Sequence, residues 1–334
     1  MWKLNIILVF LISLSLTSCH VNKKHTNSSP IKWGSFEDTT LKISLCNVSS
    51  TKIGKYINKH PEKFEFLNDV NIYFLRYMSD GFLVTGFLVK PKKDGNYPCV
   101  LFNRGGNREY GSLLVGSAVA NMAPLAAKGY VVAATNYRGN SGSEGMEQFG
   151  GDDVNDITNL IESLHFTKNA DTSKIGLFGV SRGGMMNYLT LKRKLNNIKA
   201  VVNIGGMADL DSTIKYHPGI DGVCAELIPN YLDDKSKARN ERSATHWCDK
   251  LPKTPMLILH GMNDKHVDYS QIPPFADSLD KYKIPYRLIS FKNDNHGIVK
   301  HRDYVRKQIL NWFDDYLKNE HSFKEGERQN KGGS

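Results

Sequence analysis

A serine enclosed by glycines lies near the middle of the chain, in the stretch GVSRGG from Gly179 to Gly184. The G-x-S-x-G spacing is typical of a nucleophilic serine on a tight turn between a strand and a helix. The same letters also occur in glycine-rich turns that have only a structural role, and the pattern is short enough to arise by chance. Ser181 is therefore a candidate nucleophile only if the chain also supplies a base and an acid that orients the base.

Both partners are found downstream of the serine. Asp264 follows the apolar run LILHG, and His296 lies in the segment NDNHG after the next apolar run. The order serine, aspartate, histidine, each behind a successive predicted strand, is the order of an α/β-hydrolase triad. Asp268 is a rival acid that lies deeper in the following segment. Among the other histidines, His260 is interpreted as shaping its loop, and three lack the position directly after a strand: His246, His266 and His301.

The hydrophobic pattern predicts the elements that would position this triad. Two β-rich runs, VNIYFLRYM and FLVTGFLVKP, flank Ser79-Asp80-Gly81 and predict an antiparallel hairpin. Further apolar runs then alternate with helix-like segments: CVLF, YVVAATNY, KIGLFGV, KAVVNIG, PMLILHG and YRLISF. This rhythm predicts an α/β fold with a mostly parallel sheet and helices on both faces.

In such a fold Ser181 follows the strand KIGLFGV at the carboxyl edge of the sheet, directly before a helix that starts at Arg182. Gly179 and Gly183 would then flank a strained residue, where a side chain would collide with the neighbouring strand or helix. The start of the helix would aim backbone N–H groups at an anion. These features favour a nucleophile over a purely structural turn.

The N-terminus predicts export and a lipid anchor. Lys3 precedes the apolar run LNIILVFLISLSL, which is short for a transmembrane helix but suits a secretory signal. Leu16-Thr17-Ser18-Cys19 then resembles the bacterial lipobox, in which the peptide is cut before a cysteine that receives lipid. We expect a membrane-anchored lipoprotein of the bacterial cell envelope, because several acyl chains on Cys19 would hold it durably. An ordinary signal peptide with a coincidental cysteine is the alternative.

Charge and cysteine usage exclude several other classes of function. The net charge of +10 comes from 44 basic against 34 acidic residues, but the basic residues are scattered, which argues against a nucleic-acid patch. His246-x-Cys248 offers two metal ligands without a second pair, so we predict no metal, and no cofactor is implied. Cys224 and Cys248 could form a disulfide that the sequence alone does not establish.

Several motifs together resemble the catalytic domain of the prolyl oligopeptidase family of serine peptidases: GVSRGG, HGMNDKHV, DNHG, NYRGNSGSEG, GGDDVNDITNLIESL and ERSATHWCDKL. The resemblance implies an α/β-hydrolase fold in which Ser181 is the nucleophile, His296 is the base and then the acid, and Asp264 holds the imidazole. It also implies that the N–H of Arg182 is one donor of the oxyanion hole.

The sequence departs from the family pattern at three places. Arg104, in NRGG, replaces a tyrosine that many members use at the oxyanion, so the second donor is expected to be a backbone N–H near Arg104 or Gly105. His266 replaces an arginine that grips a substrate carbonyl in several family peptidases. Only about forty residues separate the tether from the hairpin, so the large propeller of many relatives is not expected. Residues 207–250 interrupt the β/α rhythm and are either a small lid or a passive insertion.

The predicted organisation is a signal peptide at 1–18, the anchor cysteine, tether and N-terminal extension at 19–63, a catalytic domain at 64–320, and a polar tail at 321–334. The predicted function is that of a serine hydrolase that works through an acyl-enzyme. The preferred prediction is a peptidase that cleaves short peptides. A carboxylesterase is the alternative, because both use the same triad. A non-catalytic binding lipoprotein on the same fold is a remote third hypothesis. The oligomeric state is left open.

Overall fold

The computed structural model describes residues 41–319 and 321. The predicted signal peptide, Cys19, the tether, part of the N-terminal extension and nearly all of the polar tail therefore lie outside the described residues. Within the described part, no helix is both long enough and apolar enough to cross a bilayer.

In the described residues, nine strands form one mixed sheet in the order β1-β2-β3-β5-β4-β6-β7-β8-β9. The strands are β1 Lys42–Leu45, β2 Val70–Ser79, β3 Phe82–Pro91, β4 Tyr97–Asn103, β5 Val131–Thr135, β6 Ala170–Val180, β7 Ile198–Ile204, β8 Met256–Gly261 and β9 Tyr286–Phe291. The β1–β2, β2–β3 and β3–β5 pairs are antiparallel. The other pairs, β5–β4, β4–β6, β6–β7, β7–β8 and β8–β9, are parallel. The predicted α/β class with a mostly parallel sheet is confirmed.

Most of the helices lie in the connections between parallel strands. The helices are α1 Lys52–Lys59, α2 Val115–Ser117, α3 Ala123–Ala126, α4 Asn155–Ser163, α5 Arg182–Leu191, α6 Leu210–Tyr216, α7 Gly219–Leu227, α8 Lys235–Arg242, α9 Ile272–Lys281 and α10 Arg302–Phe313. Of these, α1 connects β1 to β2, and α10 follows β9. The chain moves from β4 to β5 in one direction along the sheet, and from β5 over β4 to β6 in the other. With right-handed crossovers, this reversal places the connection from β4 to β5 and the connection from β5 to β6 on opposite faces of the sheet, and the carboxyl ends of β4 and β6 form a topological switch point.

The predicted hairpin is present as β2 and β3, paired from Val70↔Pro91 to Ser79↔Phe82. Asp80 and Gly81 form its two-residue turn, and both have positive φ, 49° and 82°, as a tight hairpin turn with the twist of the strands requires. The sheet also extends further toward the N-terminus than the expected boundary at residue 64. Strand β1 pairs antiparallel with β2, with Lys42 opposite Arg76.

The segment 207–250 forms a cap of three short helices between β7 and β8. Arg239 on α8 binds Asp211 on α6 at 2.9 Å and Asp221 on α7 at 2.7 Å, so one guanidinium joins all three helices. Cys224 and Cys248 are buried free thiols in this region, so they do not form the possible disulfide. Burial raises the pKa of both thiols to about 11.

Candidate active site

Ser181 occupies the turn between β6 and α5, at the switch point of the sheet. Its backbone has φ 58° and ψ −124°, a conformation that costs about 1–3 kcal/mol for a residue other than glycine. The turn is held by hydrogen bonds from the Ser181 N–H to the Ile204 carbonyl at 2.9 Å and from the Gly184 N–H to the Ser181 carbonyl at 2.9 Å. Ser181 is partly exposed in this strained turn, while the next residue, Arg182, is buried.

The glycines around the turn leave room for close approach of the backbone. A Cβ atom on Gly183 would lie 1.9 Å from the carbonyl oxygen of Asn103, and one on Gly179 would lie 2.4 Å from that of Gly183. A Cβ atom on Gly105 would lie 3.0 Å from the Cβ atom of Ser181. Any side chain at the first two positions would therefore push β4, β6 and α5 apart.

Three buried asparagines connect the elements beneath the serine. Asn103 at the end of β4 donates its amide to Asn187 on α5 at 2.7 Å, and Asn187 donates to Asn203 on β7 at 2.7 Å. All three are almost completely buried, so the bonds are made in a low-dielectric interior where an unpaired amide would be costly. These amide hydrogen bonds connect β4, α5 and β7 beneath the Ser181 turn. Sequence reasoning missed them, although the asparagines in LFNRGG and VVNIGG were a signal.

Asp264 and His296 form a hydrogen-bonded pair on the loops after β8 and β9. Nδ1 of His296 lies 2.6 Å from Oδ2 of Asp264, whose side chain is fully buried. The other oxygen, Oδ1, accepts the N–H groups of His266 at 2.8 Å and Val267 at 3.0 Å. Burial alone would raise the pKa of Asp264, but hydrogen bonds to His260 and His296 hold that pKa well below its usual value. An ionised Asp264 requires the proton on Nδ1 of His296, which leaves Nε2 free to accept another proton.

Gly205 places this pair beside the serine turn. Gly205 directly follows Ile204, whose carbonyl accepts the Ser181 N–H, and its own φ is +52°. A Cβ atom on Gly205 would lie 2.8 Å from Nδ1 of His296 and 3.2 Å from Oδ2 of Asp264. The end of β7 therefore contacts the serine turn on one side and the Asp264–His296 pair on the other. The structure thus brings Ser181, Asp264 and His296 to one end of the sheet.

The rival residues lie in other arrangements. The carboxylate of Asp268 is partly exposed and accepts the hydroxyl of Ser270. His260 is fully buried, with Nε2 at 2.9 Å from the Val267 carbonyl and 3.3 Å from Oδ2 of Asp264. His260 therefore fixes the loop that carries Asp264. His266 is partly buried, and its ring centroid lies 5.0 Å from that of His296. Burial and the neighbouring His296 lower the pKa of His266.

The two arginines at the expected oxyanion hole have buried side chains. The guanidinium of Arg104 donates to the carbonyl of Asn136 at 2.9 Å and to carbonyls in the turn that follows Arg104 itself. It therefore lies beneath that turn, and only the backbone near Arg104 and Gly105 is left to face Ser181. The guanidinium of Arg182 pairs with Glu147 and Asp153, two carboxylates that sequence reasoning did not single out.

The profile of the prolyl oligopeptidase family matches residues 117–320, more than half of the 334-residue chain. The chain belongs to the prolyl oligopeptidase family. This membership confirms the predicted family and, together with the relatives that follow, the prediction of a serine peptidase.

Similar proteins share this family's fold over most of the chain. The uncharacterized peptidase YtmA of Bacillus subtilis is 27% identical over 244 residues, covering 73% of this chain and 93% of the relative. Dipeptidyl-peptidase 5 of Porphyromonas gingivalis is 23% identical over 73% of this chain but only 37% of the relative. The solved acylaminoacyl peptidase of Pyrococcus horikoshii matches with a TM-score of 0.66 and 23% identity, over 80% of this chain and 44% of that one. The chain thus spans most of YtmA and less than half of the two other relatives.

Proposed function

We propose that this member of the prolyl oligopeptidase family cleaves short peptides through an acyl-enzyme formed on Ser181. The observation that carries the proposal is the buried, ionised Asp264 bound to His296 beside a strained, partly exposed serine. A serine hydroxyl is a weak nucleophile unless a positioned base takes its proton, and an imidazole with its Nδ1–H held by a carboxylate is such a base.

The reaction follows from the positions of these groups. Nε2 of His296 takes the hydroxyl proton as Ser181 attacks the scissile carbonyl, and the carbonyl oxygen becomes an oxyanion. The N–H of Arg182, at the start of the ten-residue helix α5, is one donor to that oxyanion. His296 then gives its proton to the leaving amine, and water releases the acyl group by the same steps in reverse.

The helical cap supports a preference for short peptides. The hydroxyl of Tyr216 on α6 donates to the Asp264 carbonyl at 3.3 Å, and Glu226 on α7 binds Arg108 on the turn after β4. The cap is therefore joined to loops on two sides of the triad. A cap at this place limits the length of chain that reaches Ser181, while its inner face supplies contacts to residues next to the scissile bond.

A carboxylesterase is the second candidate function, and the position of Arg104 favours it. The Arg104 guanidinium lies beneath the turn, where it donates to the backbone carbonyls of Asn136 and Gly105. The side chain at position 104 therefore does not take the role of the family's tyrosine hydroxyl. Esters need less help than amides, since their leaving group departs without protonation. Weak turnover of activated esters is therefore expected from either enzyme and decides nothing.

The two functions differ in kcat/KM for matched peptide and ester substrates, because selectivity resides in differential transition-state binding. A purified soluble chain lacking residues 1–40 is expected to cleave short peptides, with kcat/KM rising as one or two residues are added. The same panel should be tested on Ser181→Ala as a background control. Failure on every peptide, together with efficient turnover of unactivated esters, would favour the carboxylesterase.

The enzyme is also proposed to be an exported lipoprotein anchored through Cys19. The support is the charged, apolar and lipobox-like order of residues 1–19. Cys19→Ala is expected to abolish the added acyl mass of the mature protein and to move it from the membrane to the soluble fraction of the expressing bacterium. Intact-mass measurement checks both forms. A native mature protein that starts elsewhere and carries no lipid would contradict the anchor.

A further inference from the structure

The turn after β4, residues 104–111, lies next to the Ser181 turn and is called the β4 loop. Its Gly105 contacts Ser181 so closely that a Cβ atom there would lie 3.0 Å from the serine Cβ and 3.0 Å from the Val180 carbonyl. A backbone donor on this loop would therefore lie near the oxyanion that forms next to Ser181. Loops of this kind act as oxyanion holes only if their peptide groups are held in one orientation.

Two buried guanidinium groups hold the carbonyls of the β4 loop. Arg104 donates to the carbonyls of Gly105 at 3.2 Å, Arg108 at 3.1 Å and Tyr110 at 3.3 Å. Arg182 donates to the carbonyl of Gly106 at 3.1 Å. In a trans peptide the C=O and the following N–H point in opposite directions. Because the Gly105 carbonyl faces Arg104, the N–H of Gly106 faces away from the buried arginines.

Arg182 is itself fixed by two carboxylates. Its guanidinium pairs with Glu147 and, at 2.6 Å, with Asp153, and all three side chains are 3% exposed or less. The remaining oxygen of Glu147 accepts the N–H of Arg108 at 2.7 Å and the side-chain amide of Asn140 at 2.9 Å. Glu147 therefore holds Arg182 and the β4 loop at the same time.

The aromatic ring of Tyr137 contacts both cations. The guanidinium carbons of Arg104 and Arg182 each lie 5.1 Å from the centroid of the Tyr137 ring. The guanidinium carbon of Arg182 also lies 4.7 Å from the centroid of the Phe149 ring. Cation–π attraction to these rings helps to keep both planar groups in place despite their like charge. The arrangement is rigid because each partner is buried and has a fixed neighbour.

We propose that the Arg182–Glu147 ion pair is a positioning device that sets the oxyanion hole, with the N–H of Gly106 as its second donor. Arg182 supplies the first donor from its backbone, while its side chain reaches the Gly106 carbonyl and orients the loop that carries the second. Arg182 thus sets the distance between the two N–H donors of the oxyanion hole. The inference rests on the proposed acyl-enzyme function and explains how the site works without the tyrosine.

The test compares two buried carboxylates that each pair with an arginine. Glu147→Gln removes a charge that holds Arg182 and is expected to lower kcat at least tenfold and at most by the roughly 10²–10³-fold that loss of a whole oxyanion donor causes, with little change in KM. Asp156→Asn is the matched control, because Asp156 is fully buried and pairs with Arg138 at 2.8 Å near the hairpin turn. It is expected to lower the melting temperature while kcat stays at the wild-type value.

Rates are normalised to active sites titrated with a fluorophosphonate, so that loss of folded protein is not counted as loss of kcat. Arg182→Lys is the second variant, since lysine keeps the charge near Glu147 but lacks the fork that also reaches the Gly106 carbonyl. It is expected to lower kcat in the same way. Wild-type kcat per titrated site in both variants overturns the inference. A wild-type protein that neither reacts with the probe nor turns over substrate contradicts the proposed function as well.

Discussion

Ser181→Ala is expected to lower kcat on the order of 10⁶-fold, because without the hydroxyl no acyl-enzyme forms and the rest of the triad has nothing to activate. Alanine keeps the Cβ atom and the backbone bonds to Ile204 and Gly184, so the melting temperature should stay close to that of the wild type. Initial rates on the best peptide substrate, measured at high enzyme concentration, check this.

A matched control is Ser278→Ala, which removes a hydroxyl that donates only to the Pro274 carbonyl on the exposed side of α9. This variant should retain wild-type kcat. If Ser181→Ala retained more than a small fraction of wild-type turnover, another nucleophile would be responsible and the assignment of Ser181 would fail.

Asp264→Asn is expected to lower kcat about 10⁴-fold, the effect of placing an amide where a carboxylate must hold the histidine tautomer. The amide nitrogen cannot accept the Nδ1–H of His296, and the bonds from the N–H groups of His266 and Val267 are retained only if its oxygen faces them. Asp268→Asn is the control, because the rival acid lies outside the triad. Equal losses of activity in both variants would contradict the assignment of Asp264.

The same substitution has a predictable effect on stability at different pH values. The pKa of Asp264 is held below its unfolded value, so its ionised form stabilises the fold above that unfolded pKa, near 4. This contribution is lost as the pH falls through the lower pKa of the folded state. The difference in melting temperature between wild type and Asp264→Asn should therefore be largest at neutral pH and shrink in acid.

The sheet and the triad could be predicted from the sequence for one physical reason. Buried parallel strands are near-continuous apolar runs, and the residues directly after them share one edge of the sheet. Once KIGLFGV, PMLILHG and YRLISF are taken as strands, Ser181, Asp264 and His296 must lie at the same edge. Strand β1, Lys42–Leu45, is not predicted because a run of four residues with two apolar side chains, Ile43 and Leu45, is too short to show a hydrophobic period.

The support beneath the site could not be predicted in the same way. Glu147, Asp153 and Arg182 are charged residues, which are exposed in most proteins, and in this fold they are buried against partners up to 76 residues away in the sequence. The sequence shows a backbone role for Arg182 through its place after the serine. Only tertiary packing determines that its side chain pairs with Glu147 and donates to the Gly106 carbonyl.

Identification of the residue that forms a covalent adduct is the most direct measurement. The soluble wild-type protein is treated with a fluorophosphonate, digested and mapped by mass spectrometry. The triad predicts a single stoichiometric adduct on the peptide that contains Ser181, lost when the protein is unfolded before treatment. An adduct on a different residue, or none on the folded protein while peptides are still cleaved, would contradict a serine peptidase built on Ser181, Asp264 and His296.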